Sequence, residues 1–214
     1  MKIKAIITIL AVLAISSCQN ELTDLTPSLS KEVFDLKVSI PEVKTKVSEK
    51  NSPGTPDAVN TLQVFVFDDN DNLEAYDMAD AKSIVLSCRP GSKKVVTLVN
   101  APELTEVTTY TQLAQTSSLL TDNTIDSMVM VGEKDIELSA TSSITVPVSR
   151  LAAKISLKQV TNSFEFKSDQ DAAFCVTRIY LLNVVGEKAY LSDSQPEVWH
   201  NKMALENDEA PEYT

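Results

Sequence analysis

The residues best equipped for chemistry are few and badly spaced for it. The 214-residue chain has one histidine, His200. It lies beside Trp199 in a polar stretch, with no second histidine or cysteine at metal-ligand spacing, and reads as a solvent-facing side chain. The run Asp68-Asp69-Asn70-Asp71-Asn72 has the carboxylates of a calcium loop without its frame. Leu73 stands where an EF-hand needs glycine and Ala79 where it needs a bidentate glutamate, so a tight acidic turn is expected. There is no Gly-x-Ser-x-Gly elbow, no glycine-rich phosphate loop and no nucleophile with a base, and the chain holds only four glycines. These absences point to a non-enzyme with no metal and no cofactor. Cys88 and Cys175 read as free, buried thiols acting as small hydrophobes, rather than as a disulfide, because they fall in different segments of the fold.

The third cysteine is different. Lys2 and Lys4 precede an apolar run, Ala5 to Ile15, within the ~7–15 residues of a signal peptide and short of the ~20 that span a bilayer. Ile15-Ser16-Ser17-Cys18 follows, which resembles a bacterial lipobox. The resemblance implies cleavage after residue 17 and acylation at Cys18, with more than one chain to give a firm anchor. The protein is then expected to be an exported lipoprotein.

Hydrophobic residues make up 43% of the chain and charged residues 23%, which excludes a disordered polymer. The net charge is -11, and loss of Lys2 and Lys4 with the leader takes it to -13. Such a surface repels nucleic acid and anionic membranes, so the lipid alone must hold the protein at a membrane.

The elements are short and mostly extended. Phe34, Leu36, Val38 and Ile40 alternate with polar residues to make one half-buried strand, ended by Pro41. Residues 41–59 form a hydrophilic loop rich in proline and bearing Lys44 and Lys46, accessible to proteases. Strands are expected at 61–67, 73–78 (a hairpin around the acidic turn), 84–86, 94–99, 128–131, 136–138, 144–148 and 151–160, with one helix at 102–115 whose Leu104, Val107 and Leu113 face the sheet. A further strand is expected at 174–182 and a shorter one at 188–191. The pattern is all-β: an antiparallel Greek-key β-sandwich, transthyretin-like, with one short helix, followed by an incomplete second β-domain. The expected boundaries are 1–17 (signal peptide), 18–46 (lipidated tether, first strand and candidate cleavage loop), 47–165 (N-terminal sandwich) and 166–214 (start of a second domain and polar tail).

Several segments together resemble the fimbrillin family, the subunits of type V pili. They are Thr61–Phe67 with Asp68-Asp69-Asn70, Val95–Pro102 with its Asn100-Ala101, Met130-Val131-Gly132, and Val148-Ser149-Arg150-Leu151-Ala152-Ala153-Lys154-Ile155. The resemblance implies a structural subunit exported as a lipoprotein. A protease removes the lipid and the first strand, and a strand from another fimbrial subunit fills the exposed groove. Family members carry Arg at the cut, where this chain offers Lys44 and Lys46. The implied partners are other fimbrial subunits and, through Cys18, the outer membrane. The tail, 192–214, contains Pro196 and Pro211 and no alternating apolar run, so the chain is expected to accept a strand but not to supply one. The rival reading is a permanently anchored lipoprotein that binds a ligand such as a glycan; aromatic residues at 6%, with a single Trp, disfavour sugar stacking.

Overall fold

Alternation such as that of residues 34–40 makes a strand only if other strands flank it. The computed structural model describes residues 32–41, 58–161 and 175–202, and it supplies those flanks. The strands are β1 (Phe34–Ser39), β2 (Leu62–Phe67), β3 (Leu73–Ala79), β4 (Ser83–Cys88) and β5 (Gly91–Val99). After helix α1 (Tyr110–Gln115) come β6 (Ser117–Leu119), β7 (Met130–Leu138), β8 (Ser142–Thr145) and β9 (Ser149–Arg150). The last short strands are β10 (Val184–Val185), β11 (Glu187–Ala189) and β12 (Trp199–His200).

Two sheets form the expected sandwich. One has the order β3-β2-β5-β7-β9 and the other β4-β1-β8. Neighbouring strands run antiparallel, except that β1 runs parallel to β8. The inner core lies between the sheets. Leu36, Val38, Ile84, Leu86 and Val146 meet Leu62, Val64, Val66, Val95, Val99, Met130 and Leu138 there.

β2 is buried along its whole length because it has a layer on each side. Its other face presents Phe65 and Phe67 to a second cluster with Val96, Leu98, Val107, Leu113, Val129 and Tyr190. Gln63 shares that face and would be costly to bury unpaired. Its amide donates to the carbonyls of Ala101 (3.1 Å) and Pro102 (2.9 Å). Its oxygen accepts from the Leu104 N–H (3.1 Å) and the Tyr76 hydroxyl (3.2 Å). The stretch laid over the second cluster is thereby tied to the sheet it covers.

Some expectations need correction. The helix occupies only Tyr110–Gln115. Thr109 caps it by accepting from the Gln112 N–H, and Gln112 reaches back in a capping box. Residues 102–108 are irregular, and Gln63 takes the Pro102 carbonyl and the Leu104 N–H, although Leu104, Val107 and Leu113 do pack on the sheet. The strands expected at 128–131 and 136–138 are one strand, β7, carried through its polar middle by pairing with β5.

Residues 151–160 and the described part of 174–182 are not strands. Ile155, Leu157, Ile179 and Leu181 are exposed. Alternation sets which side chains share a face, but no described strand pairs with either segment. Cys175, expected to be buried, is exposed, while Cys88 is buried as expected; both are free thiols.

The Met-x-Gly segment has a packing reason. A Cβ on Gly132 would overlap the carbonyl oxygen of Pro147, so β7 and the chain entering β9 approach as closely as they do only with glycine there. Gly132→Ala is expected to lower the unfolding free energy by about 1–3 kcal/mol, as overpacking does. Urea denaturation checks this, and an unshifted midpoint would contradict it.

Candidate functional site

β1 is the middle strand of its sheet, not an edge. On one side Phe34, Leu36 and Val38 stand opposite Cys88, Leu86 and Ile84 of β4. On the other, Leu36 and Val38 stand opposite Ser142 and Ile144 of β8. Leu36 and Val38 are fully enclosed, Ile40 is nearly so, and Phe34 packs partly buried against the same core. All four residues singled out from the sequence therefore point where the alternation placed them. Each large side chain enclosed in this way is worth about 1.5–3 kcal/mol.

The outer face of β1 carries contacts that alternation could not reveal, because they depend on which strands are neighbours. The Ser87 hydroxyl on β4 donates to the Asp35 carboxylate (3.1 Å), and the Asp35 N–H donates to Thr141 Oγ1 (3.4 Å). At the other end the Ser39 hydroxyl donates to the Ile144 carbonyl on β8 (2.9 Å) and lies 3.3 Å from Thr145 Oγ1. Lys37 projects between Val85 and Ser143, with no charged residue opposite it.

Past Pro41 the chain leaves the described residues and re-enters at 58. Lys44, Lys46 and Cys18 lie outside the described residues. Asn100 holds the point of re-entry. Its backbone takes a positive φ of 57°, which asparagine tolerates better than most residues. Its side-chain oxygen accepts from the N–H groups of Asn60 (2.8 Å) and Thr61 (3.3 Å), and its amide donates to the carbonyls of Ala58 (2.7 Å) and Met128 (3.0 Å). One side chain thus fixes the start of β2 to the end of β5 and to the stretch that leads into β7. The sequence marked Asn100 only as a turn former at a strand end, and its four side-chain bonds to two separate segments, 58–61 and Met128, were not legible there.

The thiol of Cys88 lies at the Phe34 end of this groove. Burial, reinforced by nearby Glu74 and opposed by Lys93, pushes its pKa from 9.0 up to about 11. Glu74 and Lys93 themselves form an enclosed ion pair at 3.0 Å. The acidic turn is structural. Asp68 accepts from the N–H groups of Asn70 and Asn72 (both 2.9 Å), and Asp71 accepts from the Thr111 hydroxyl (2.7 Å) at the start of α1. Among the described residues no group of acidic, histidine or cysteine side chains is placed to hold a metal ion. His200 is exposed and lies in β12.

A family model for the major fimbrial subunit protein (FimA) matches residues 33–172. The chain belongs to this family, which is one of fimbrial subunits rather than enzymes. No curated protein matches it. Among solved structures it is similar to a fimbrilin (FimA) from Porphyromonas gingivalis W83, at 10% identity over 55% of this chain and 39% of that one, with a TM-score of 0.45. A fimbrial assembly protein from Parabacteroides distasonis is 15% identical over 56% and 53%, with a TM-score of 0.39. The tip fimbrial protein Mfa3 from Porphyromonas gingivalis is 13% identical over 56% and 49%, with a TM-score of 0.40. The chain thus spans about half the length of these structures or less.

Asn100→Ala leaves four backbone groups without their partner and places alanine at a positive φ. It is expected to cost about 2–4 kcal/mol. Asn100→Gly, free of the φ strain, is expected to cost less. Thermal and urea unfolding of the two variants checks the order, which fails if both match the parent chain.

The pH dependence has a definite sign. The pKa of Cys88 is raised to about 11, and burial, with Asp122 adding to it, raises Tyr190 from 10.0 to about 12. In the unfolded chain these groups lose their protons at lower pH than in the folded one. Stability from them is intact below about pH 9 and is lost as pH rises toward 11 and 12. Urea titrations at pH 7, 9 and 10.5 should show a falling midpoint across the last two; a rising one would refute the assignment.

Proposed function

We propose that this chain is a subunit or accessory protein of a cell-surface fimbria, supporting adhesion, in which β1 is removed by proteolysis and replaced by a strand from another subunit. The observation that carries this reading is the position of β1. It closes the inner core from the middle of a sheet, yet its only covalent link to the rest of the sandwich runs through residues 41–57. Cutting that stretch near Lys44 or Lys46 severs no strand of either sheet. Loss of β1 would then leave β4 and β8 with unpaired backbone edges over an apolar floor, which favours a replacement strand. Asn100 keeps the new chain start from unravelling into β2.

In this reading Cys18 carries the lipid that holds the uncleaved chain at the outer membrane, and the cut releases it. Residues 47–165 act with the inserted strand as the working sandwich, and residues 166–214 begin a second domain. The contribution of Tyr190 to the second cluster shows that this later stretch also returns to the first sandwich.

Two experiments test the proposal. Mass spectrometry of the N-terminal peptide from a detergent extract should find an acylated Cys18, and Cys18→Ala should move the protein out of the membrane fraction. An unmodified cysteine in a membrane-bound chain would refute the anchor. Separately, the purified chain cut by a trypsin-like protease at Lys44 or Lys46 should form a stable complex with a strand-bearing fimbrial subunit. It should not build ladders of itself. A cut chain that binds no strand, or that polymerises alone, would overturn the strand-exchange reading.

A further inference from the structure

The polar face of β1 says which strand the groove selects. This inference rests on the strand-exchange reading above and deepens it. Inward alternation alone does not set direction. Reversing β1 about Lys37 exchanges Leu36 with Val38 and Phe34 with Ile40, so an apolar residue still fills every inward position. The outward residues are not interchangeable. Position 35 offers a carboxylate to the Ser87 hydroxyl on β4. Position 39 offers a hydroxyl that donates to the Ile144 carbonyl on β8 and sits beside Thr145. In a reversed strand the carboxylate would face that carbonyl, acceptor against acceptor, while the hydroxyl would lie opposite Ser87 of β4 in place of the carboxylate. β4 pairs with β1 over six positions and β8 over only four, so the longer ladder is antiparallel in the native direction and parallel in the reversed one. Antiparallel pairing is the more stable per residue.

We infer that the groove is directional and selects an incoming subunit strand that runs as β1 does, with an acceptor side chain at the Asp35 position and a hydroxyl at the Ser39 position. The central outward position, filled by Lys37, faces Val85 and Ser143 and is open to any polar residue. Specificity among strands that share the same apolar alternation is therefore read on the solvent-facing side of the sheet.

Competition binding tests this on the full chain carrying one specific protease site inserted between residues 50 and 53. After cleavage, a fluorescent peptide of residues 32–41 is exchanged into the groove, and unlabelled peptides compete for it. The native peptide and its Lys37→Ala form should compete within about twofold of each other. A peptide with Asp35→Ser and Ser39→Asp keeps every inward side chain and the native direction. It should compete about tenfold more weakly, the scale of turning the charge-assisted Ser87 bond into a neutral one and setting a carboxylate against the Ile144 carbonyl. A peptide with the sequence of residues 34–40 reversed should be weakened at least as much. Equal competition by the exchanged and reversed peptides, with the native peptide bound, would overturn directional selection and leave strand exchange standing. Failure of the native peptide to enter the groove would overturn both.

Discussion

The inner core of this sandwich has a roof that is thinner than its floor. The floor is five strands, with β2 buried at every position and β5 buried from Val95 to Val99. The roof is three strands, and its central strand brings Leu36 and Val38 into the space between the sheets. Everything else in the roof depends on that strand. β4 and β8 are not neighbours and meet only through β1. A β-sheet edge with unpaired N–H and C=O groups is a template for another strand. A roof that loses its middle therefore has two such edges facing each other across an apolar slot. In the proposed exchange, the same geometry that makes β1 central to the core leaves its place open to another strand.

In the proposed exchange the rest of the sandwich must survive without β1. Two buried amides serve that end. Gln63 satisfies four polar groups around the second cluster and holds the 101–104 segment on the outer face of the large sheet. Asn100 closes the ends of β2 and β5 together, next to the point where the chain enters β2. Neither touches β1. The floor has its own second core of Phe65, Phe67, Leu98 and Leu113 on the far side, which a change in the roof does not expose.

The sequence made the inward face of β1 legible because alternation has a period of two and needs no knowledge of neighbours. The positions of β2 and β3, the acidic turn and the apolar residues that cover the sheet near α1 were legible for similar local reasons, whereas β4 and β5 run beyond the expected 84–86 and 94–99 because pairing with β1 and β7 extends them. Other features depend on neighbours. The contacts of Asp35 and Ser39 need the identity of the flanking strands. The single long β7 needs its pairing with β5. The merging of Tyr190 into the second cluster needs the return of the chain across more than fifty residues. The same limit explains the opposite error at 151–160 and 175–182, where strand-like alternation is present but no described strand lies alongside. Gly132 was visible as part of a motif, and only the nearness of the Pro147 carbonyl gave the motif a cause.

The central claim is that β1 alone covers the groove and that another strand can take its place. Cys88 reports on this directly, because it stands opposite Phe34, is enclosed, and keeps its thiol protonated through its raised pKa. The measurement is the alkylation rate of Cys88 at neutral pH, read by mass spectrometry of its own peptide, so that Cys18 and the exposed Cys175 do not interfere. In the intact chain the rate should be slow. After loop cleavage and removal of β1 it should rise at least about a hundredfold, and added peptide of residues 32–41 should return it to the slow value. A rate that stays slow after β1 is gone, or that stays fast with the peptide present in excess, would contradict the account.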